Sequence, residues 1–208
     1  LRGKGTLFDR GTHVPLLIRW PRRVKPGSSS SELVCGTDLG STILAACGMK
    51  QLKEMTGVSF LRPLLGGQAE GRQYVFSERG WHWGPITRTD GLDLSRSITT
   101  KRYRYIYNAL PNRSYTPVDM SGKDAWKAIQ SAHAAGRLST LHERLFFQNP
   151  RPIGELYDLR NDPLELNNLA GKKSVAEIER TLLEQLESWM IREHDYLPLP
   201  THALQNTK

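Results

Sequence analysis

The order of apolar and polar positions predicts an α/β segment at the start of the chain. The run VPLLIRWP, from Val14 to Pro21, is a short apolar stretch bounded by prolines, a pattern typical of a strand buried on both faces of a largely parallel sheet. The next segment, TDLGSTILAACGMK, predicts a short helix that Asp38 caps and that ends at Gly48. Its core-facing residues would be Leu39, Ile43 and Leu44. A strand followed by a helix suggests the last piece of an α/β layer.

The middle of the chain contains short β-rich segments. They are RQYVFSE, LSRSITT, RYRYIYN and ELYDL, at residues 72–78, 94–100, 102–108 and 155–159. The third alternates strictly, which places Tyr103, Tyr105 and Tyr107 on one face of a half-buried strand. Because Lys101 lies at the turn between the second and third segments, we expect those two to pair in antiparallel orientation. The middle therefore predicts a small antiparallel sheet.

Two helical patterns lie in the second half. SGKDAWKAIQSAHAAG predicts a helix from a Ser121 cap to Gly136. The clearer pattern is SVAEIERTLLEQLESWMIREHD, which predicts a helix that opens with a capping box of Ser174 and Glu177. Its apolar face would comprise Val175, Ile178, Leu182, Leu186, Trp189 and Met190. The predicted fold is the end of an α/β layer followed by an α+β subdomain, a small antiparallel sheet with a long C-terminal helix.

Composition and charge restrict the class of partner. With 208 residues, 38% of them hydrophobic, the chain can bury a core. It lacks an apolar run of about 18 residues, so no membrane-spanning helix is predicted. Its net charge of +8 favours an anionic partner, whether nucleic acid, acidic polysaccharide or anionic lipid. Cys35 and Cys47 have no metal-ligand spacing and are interpreted as small core residues.

The opening segment LRGKGTLFD contains a candidate anion-binding lysine. A Walker phosphate loop has a hydroxyl residue directly after its lysine and a helix behind it, whereas here Gly5 follows Lys4 and an apolar run comes soon after. A nucleotide loop is therefore not predicted. A lysine between two glycines can still approach an oxyanion with little steric hindrance. The alternative is a solvated loop lysine.

Four stretches, in this order, resemble segments of type I sulfatases of the alkaline-phosphatase-like superfamily. They are GKGTLFDRGTHVPLLIRWP, TDLGSTILAACGM, RSITTKRYRYIYN and ELYDLRNDPLELNNLAG, which together cover Gly3 to about Gly171. Ser41 stands where the family pattern has proline. The stretches DRGTHVP and LESWMIREHDYLP are most similar to the heparan N-sulfatase-like branch.

The resemblance implies a C-terminal sulfatase fragment: the end of the catalytic α/β domain in residues 1–67 and the sheet subdomain in residues 68–208. Lys4 matches the family lysine that contacts the sulfate group. The family's formylglycine nucleophile arises in Cys/Ser-x-Pro/Ala-x-Arg, which does not occur here, and its Ca²⁺ ligands lie upstream of the Lys4 position. We therefore expect this chain alone to be inactive and to bind no metal, and expect Ca²⁺ and the missing N-terminal catalytic portion in the intact parent.

The resemblance also implies a substrate and a cellular location. The expected substrate is a sulfated carbohydrate, with a heparan-type glycosaminoglycan favoured, and neither nucleic acid nor a membrane span is expected. The location would be extracytoplasmic. Candidate substrate contacts are His13 before the first strand and Glu78, Arg79 and His82 in SERGWHWGPITRTDG, where Trp81 or Trp83 offers a stacking face. The alternative is that these tryptophans anchor the loop and that His82 is a surface histidine.

Three further interpretations stay open at the level of sequence. A phosphodiesterase or phosphatase of the same superfamily would use Lys4 on phosphate. A non-catalytic basic module would bind polyanions by charge alone. The acidic stretch ELYDLRNDPLE suggests a metal site, but its Asp-Pro spacing favours side-chain-to-backbone bonds in turns, so a structural role is predicted for it.

Overall fold

A computed structural model of the chain describes residues 2–68, 71–81 and 92–200. Two compact units are present, Leu1–Val14 with Phe76–Lys208 and, separately, Pro15–Val75. Whether residues 1–67 end a larger catalytic domain stays a prediction. The described helices and strands are α1 (Asp9–Thr12), α2 (Thr37–Ala46), α3 (Leu61–Leu64), β1 (Val75–Trp81), β2 (Leu92–Thr99), β3 (Tyr103–Asn108), α4 (Asp124–Ala134), α5 (Thr140–Phe146), β4 (Gly154–Asp158) and α6 (Ala176–Arg192).

The four strands form one sheet in the order β1-β2-β3-β4. β2 pairs with β3 and β3 with β4, both antiparallel, so that Ser97 lies opposite Ile106 and Ile106 opposite Glu155. The backbone N–H of Thr100 donates to the Tyr103 carbonyl at 2.8 Å and closes the turn at Lys101. The predicted antiparallel sheet with a long C-terminal helix is therefore confirmed.

Both faces of the central strand β3 are covered. On one face, Tyr105 lies opposite Ile98 and Leu156, and α6 packs on β2 and β3. On the other face, Ile106 packs with Leu7 of the N-terminal segment. The expectation that the tyrosine strand is half-buried is wrong, because each face has its own cover.

The two predicted helix starts shift toward the C-terminus. A 3-10 turn, Lys173–Val175, precedes α6 and contains Ser174, so Val175 occupies the N-cap position and the predicted capping box does not form. Likewise Ser121 ends the 3-10 turn Val118–Met120, and α4 begins at Asp124. The buried residues of α6 are Leu182, Leu183, Leu186 and Met190, and all of them except Leu183 belong to the predicted apolar face.

In the unit of residues 15–75, the apolar run from Val14 to Pro21 forms no strand. The side chain of Leu17 is 92% exposed. A buried strand needs neighbours to pair its backbone, and no strand is described within residues 15–68 or 71–74. The predicted buried strand is therefore absent from the described residues.

Helix α2 buries its polar side, contrary to the prediction. Asp38, Ser41 and Thr42 are buried, whereas Ile43 is 62% exposed. These polar side chains bind the following loop: the Ser41 hydroxyl donates to the Gly57 carbonyl at 3.1 Å, and the Thr42 hydroxyl accepts from the Phe60 N–H at 3.0 Å. Ser41, at the position of the family's proline, thus contributes a hydrogen bond that proline lacks.

The Asp38 carboxylate is the centre of this loop structure. It accepts from the backbone N–H groups of Cys35 at 2.8 Å and Val58 at 2.7 Å, and from Arg72 Nε at 2.7 Å. Burial raises the pKa of Asp38, but these hydrogen bonds outweigh it and the net shift is downward. Gly48 ends the helix with φ of +70°, as predicted.

The expectation that both cysteines are core residues is wrong for Cys47, which is exposed. Cys35 is partly buried. The apolar side of α2, with Leu39 and Ile43, is exposed in this unit. Burial of a small side chain in an amphipathic helix depends on which side of the helix is covered, and here the polar side is covered.

Candidate functional site

The turn Gly3–Thr6 presents the candidate lysine. Both the backbone N–H and the hydroxyl of Thr6 bind the Gly3 carbonyl, at 3.0 and 2.6 Å. Gly5 has φ of +77°, the conformation that the third position of a type II turn requires of glycine. Lys4 therefore lies at the tip of a short turn, with its side chain exposed.

A single buried glutamate anchors the chain on both sides of this turn. Arg2 Nη1 donates to the backbone carbonyl of Glu165 at 2.5 Å, and the backbone N–H of Asp9 donates to Glu165 Oε2 at 2.7 Å. The other carboxylate oxygen accepts from Arg104 Nη1 at 2.7 Å. Glu165 has φ of 55°, which non-glycine residues seldom adopt. The segment that carries Lys4 is thus fastened to the ELYDLRNDPLE signature.

Burial determines the electrostatics of this anchor. It raises the pKa of the Glu165 carboxyl, and the Arg104 guanidinium and the Asp9 N–H act in the opposite direction. Burial also raises the pKa of the Tyr157 phenol, to which Arg2 Nη2 donates at 3.1 Å. Arg2 further lies 3.5 Å from the centroid of the Phe8 ring, a cation–π distance. The N-terminal segment is therefore held by charge, hydrogen bonds and packing together.

A cavity of about 80 Å³ lies beside the N-terminal segment, whose Thr6, Leu7 and Phe8 form part of its wall. Its lining also includes a group of charged and amide side chains, namely Arg2, Arg79, Asp93, Asn108, Arg151 and Glu155. Burial raises the pKa of Tyr115, another wall residue, to about 12. This phenol therefore stays neutral at ordinary pH.

The predicted substrate contacts lie in different surroundings. Arg79 lines the cavity and forms an ion pair with Asp93 at 3.0 Å. Glu78, whose side chain is 70% exposed, lies 3.8 Å from Arg96 Nη2. His13 ends α1 and contacts Asp9 Oδ2 at 3.4 Å, with an exposed ring. Trp81 is exposed, and the predictions for His82 and Trp83 fall outside the described residues.

The structure does not collect these residues into one site. Of the predicted residues within the described ranges, only Arg79 is part of the cavity wall; Lys4, His13 and Glu78 are not. Their proposed contacts with a substrate stay predictions. The residues that sequence reasoning missed are Arg104 and Glu165, because the only local signal at Glu165 was that of a turn.

The acidic residues have structural partners. Asp158 binds Arg102 at 2.8 Å and the backbone N–H of Arg160 at 3.1 Å, and Asp162 binds the N–H of Leu166 at 3.0 Å. The predicted turn role of ELYDLRNDPLE is therefore confirmed. Within the described ranges, no group of three or more His, Cys, Asp or Glu side chains is arranged to hold a metal ion. Among the described helices none is long and apolar enough to cross a bilayer.

Comparison with known proteins gives consistent matches. The family model for N-sulphoglucosamine sulphohydrolase, C-terminal, matches residues 3–145. An ulvan-active sulfatase of Formosa agariphila is 33% identical over 195 residues, which are 94% of this chain and 36% of that protein. The human N-sulphoglucosamine sulphohydrolase is 28% identical over 93% of this chain and 39% of its own length. The chain spans roughly a third of the length of these curated relatives.

The fold has counterparts among solved structures. One of them, described as a complex with its substrate D-glucosamine-2-N,6-O-disulfate, superposes with a TM-score of 0.55 and 21% identity. The match covers 86% of this chain and 28% of that one. At this level of identity the likeness concerns the fold.

Proposed function

The chain belongs to the sulfatase family, in the C-terminal region described for N-sulphoglucosamine sulphohydrolase, and on this premise we propose that it completes an enzyme that hydrolyses sulfate esters or N-sulfates of carbohydrates. The observation that carries the proposal is the family match over residues 3–145, which includes the Lys4 turn. The relatives named above are sulfatases, and one of them is an N-sulphoglucosamine sulphohydrolase. The proposal concerns the longer enzyme, of which this chain is one part.

The proposed role of Lys4 is to neutralise charge on the substrate. Its ammonium group would contact non-bridging sulfate oxygens as the ester or sulfamate bond breaks, where preorganised positive charge lowers the barrier. Three features support this role: the exposure of the side chain, the absence of β-carbons on both neighbours, and the buried anchor at Glu165. The anchor fixes the backbone on each side of the turn, so the lysine starts from a defined position.

The remaining machinery is proposed to lie outside this chain. No formylglycine motif occurs in the sequence. When bound in the intact enzyme, Ca²⁺ would supply positive charge near the nucleophile. The contribution of this chain is then to bind and orient the substrate, and the isolated chain is proposed to be inactive.

A heparan-type glycosaminoglycan is the proposed substrate, and the proposed location is extracytoplasmic. The net charge of +8 supports a polyanionic substrate, since a basic surface attracts polyanions over a distance of about 10 Å at ordinary salt. The similarity to N-sulphoglucosamine sulphohydrolase supports an N-sulfated glucosamine unit. The ulvan-active relative makes ulvan oligosaccharides the competing substrate.

The test measures sulfate release by the full-length enzyme that contains this chain. Heparan-type oligosaccharides, ulvan oligosaccharides and a phosphate ester are compared as substrates, with wild type, Lys4→Ala and the control Lys172→Ala, an exposed lysine of the same unit. We expect kcat/KM to fall about 10²–10³-fold for Lys4→Ala, as for the loss of one oxyanion contact, and to stay unchanged for the control. An unchanged kcat/KM in the Lys4→Ala variant would show that Lys4 takes no part in the mechanism. Faster phosphate than sulfate release would instead support a phosphatase.

A further inference from the structure

The cavity beside the N-terminal segment has more buried positive than negative charge. Its wall includes the guanidinium groups of Arg2, Arg79 and Arg151 and only two carboxylates that are comparably buried, those of Asp93 and Glu155. All five side chains are only 9–12% exposed. Among the buried wall residues that the structure describes, the balance is therefore one positive charge in excess.

The hydrogen bonds show where this excess lies. Arg79 and Arg151 share the single carboxylate of Asp93, with Arg79 Nη1 at 3.0 Å and Arg151 Nη2 at 2.6 Å. The Nε groups of both arginines are buried and have no hydrogen-bond partner in the part of the chain that the structure describes. Each arginine also makes one long hydrogen bond of 3.4 Å to a backbone carbonyl, from Arg79 to Thr116 and from Arg151 to Leu110. An arginine has five N–H donors, so one shared carboxylate and two carbonyls still leave this pair short of acceptors.

Arg2 has the longest ion pair of the three arginines. Its guanidinium binds two uncharged oxygens, the Glu165 carbonyl and the Tyr157 hydroxyl. The nearest Glu155 oxygen is 3.9 Å away, and the Glu155 carboxylate already accepts from Asn108 and Tyr157. The positive charge is consequently spread along the wall from Arg2 to Arg151.

Water alone does not resolve this arrangement. A cavity of about 80 Å³ has room for several water molecules, and these can accept hydrogen bonds from arginine. They carry no charge, however, and an uncompensated buried charge is strongly destabilising. A small anion supplies both the acceptors and the missing charge.

We propose that this cavity is a binding site for one small oxyanion of the size of sulfate, held by the guanidinium groups of Arg79, Arg151 and Arg2. Guanidinium groups bind the oxygens of such anions through paired, charge-assisted hydrogen bonds. Access exists where the wall includes the exposed residues Arg144 and Gln148. The bound anion links the N-terminal segment to the sheet. This inference does not depend on the proposed hydrolase activity.

The charge balance predicts opposite effects for two variants. Arg151→Gln leaves Asp93 paired one-to-one with Arg79, which removes the excess charge while keeping an ion pair. Asp93→Asn removes the shared carboxylate and increases the excess. We therefore expect Arg151→Gln to weaken anion binding at least about tenfold and Asp93→Asn to strengthen it, since hydrogen bonds between ionised groups are the stronger ones.

The experiment titrates the full chain with sodium sulfate from zero to about 10 mM, while sodium chloride keeps the ionic strength constant. Thermal unfolding and calorimetry measure the dissociation constant, because a ligand of the native state raises Tm in a saturable manner. Arg137→Gln, an exposed arginine of α4's C-terminal flank, is the control and should match wild type.

A saturable response that Arg151→Gln loses and Arg137→Gln keeps supports the site. The same dissociation constant in wild type and Arg151→Gln overturns it. So does a linear, non-saturating rise of Tm in all variants, which is the general effect of sulfate on folded proteins. If Asp93→Asn does not fold, the comparison of the dissociation constants of Arg151→Gln and wild type still tests the site. Sulfate release by the enzyme is not measured, so failure here leaves the hydrolase proposal unaffected.

Discussion

The Glu165 carboxylate accepts a hydrogen bond from the backbone N–H of Asp9 at 2.7 Å, across 156 positions of sequence. Its other oxygen binds Arg104 of β3 at 2.7 Å. Glu165 follows β4 and Asp9 begins α1. The segment that presents Lys4 is therefore positioned by a residue far along the chain, and both belong to the same compact unit.

Removal of this carboxylate should destabilise the unit strongly. Glu165→Ala leaves the Arg104 guanidinium, which is almost fully buried, with the 3.3 Å contact to Asp9 Oδ1 as its one remaining charged partner among the described residues. Breaking a buried pair in this way costs about 3–5 kcal/mol. Glu165→Gln keeps a carbonyl oxygen as acceptor and should lose less, because burial already raises the pKa of Glu165. Urea unfolding at pH 7 measures both losses.

An exposed pair provides the control for this experiment. Glu184 lies 3.3 Å from Arg180 on α6, and about half of each side chain is exposed. Glu184→Ala should change the free energy of unfolding by less than about 1 kcal/mol. A Glu165→Ala loss no greater than that of Glu184→Ala would show that Glu165 does not anchor the N-terminal segment.

The sheet was predictable because strand periodicity is local. Alternation in RYRYIYN and the turn at Lys101 are enough to define β3 and its partner, and the apolar repeat of α6 defines its buried face. Burial of a run such as VPLLIRWP depends on neighbours that no local pattern specifies. Helix α2 shows the same limit, since its polar residues bind Gly57 and Phe60 in the loop that follows the helix.

The candidate site was predictable only in part. The glycines around Lys4 indicate a turn directly, and Gly5 has the positive φ that such a turn uses. The partners of this turn, Arg104 and Glu165, are separated from it by about half and three quarters of the chain. A long-range ion pair has no periodicity, so its residues are recognised only once the sheet brings them together.

The Asp38 carboxylate should make the unit of residues 15–75 sensitive to acid. Its pKa lies below the usual value in the folded state, so the stability it contributes is complete above the unfolded carboxyl pKa of about 4. That stability is lost as the pH falls through this value toward the folded pKa. Hydrogen-exchange protection of the Val58 amide, which donates to Asp38, should therefore decrease from pH 6 to pH 3.5. In Asp38→Asn we expect weak protection at both pH values; a strongly protected amide there would contradict the role of Asp38.

Asp158 should add a second acid-sensitive contribution in the other unit. The hydrogen bonds from Arg102, and those from Arg160 and Asn161, hold the pKa of Asp158 at about 2. As for Asp38, the stability that Asp158 contributes is present above about pH 4 and is lost between about pH 4 and pH 2. The urea midpoint should fall less steeply over this interval in Asp158→Asn than in wild type. Because Arg102 is 44% exposed, 0.5 M NaCl should reduce the difference between the two proteins. Identical slopes at both salt concentrations would contradict this assignment.

The stack of Phe76 on Trp189 should contribute measurably to the attachment of α6 to the sheet. The two ring centroids are 5.0 Å apart and the planes differ by 1°, and such aromatic pairs contribute about 0.5–1.5 kcal/mol beyond their buried area. Trp189→Leu keeps an apolar side chain but removes the ring, so we expect a loss of about 1–3 kcal/mol in urea unfolding together with a weaker near-UV circular dichroism signal. Trp81→Leu is the matched control, because Trp81 is 63% exposed, and it should cost less than about 0.5 kcal/mol. Equal losses in the free energy of unfolding for the two variants would mean that the aromatic stack adds nothing. The packing of α6 would then depend on its aliphatic residues, chiefly Leu186 and Met190.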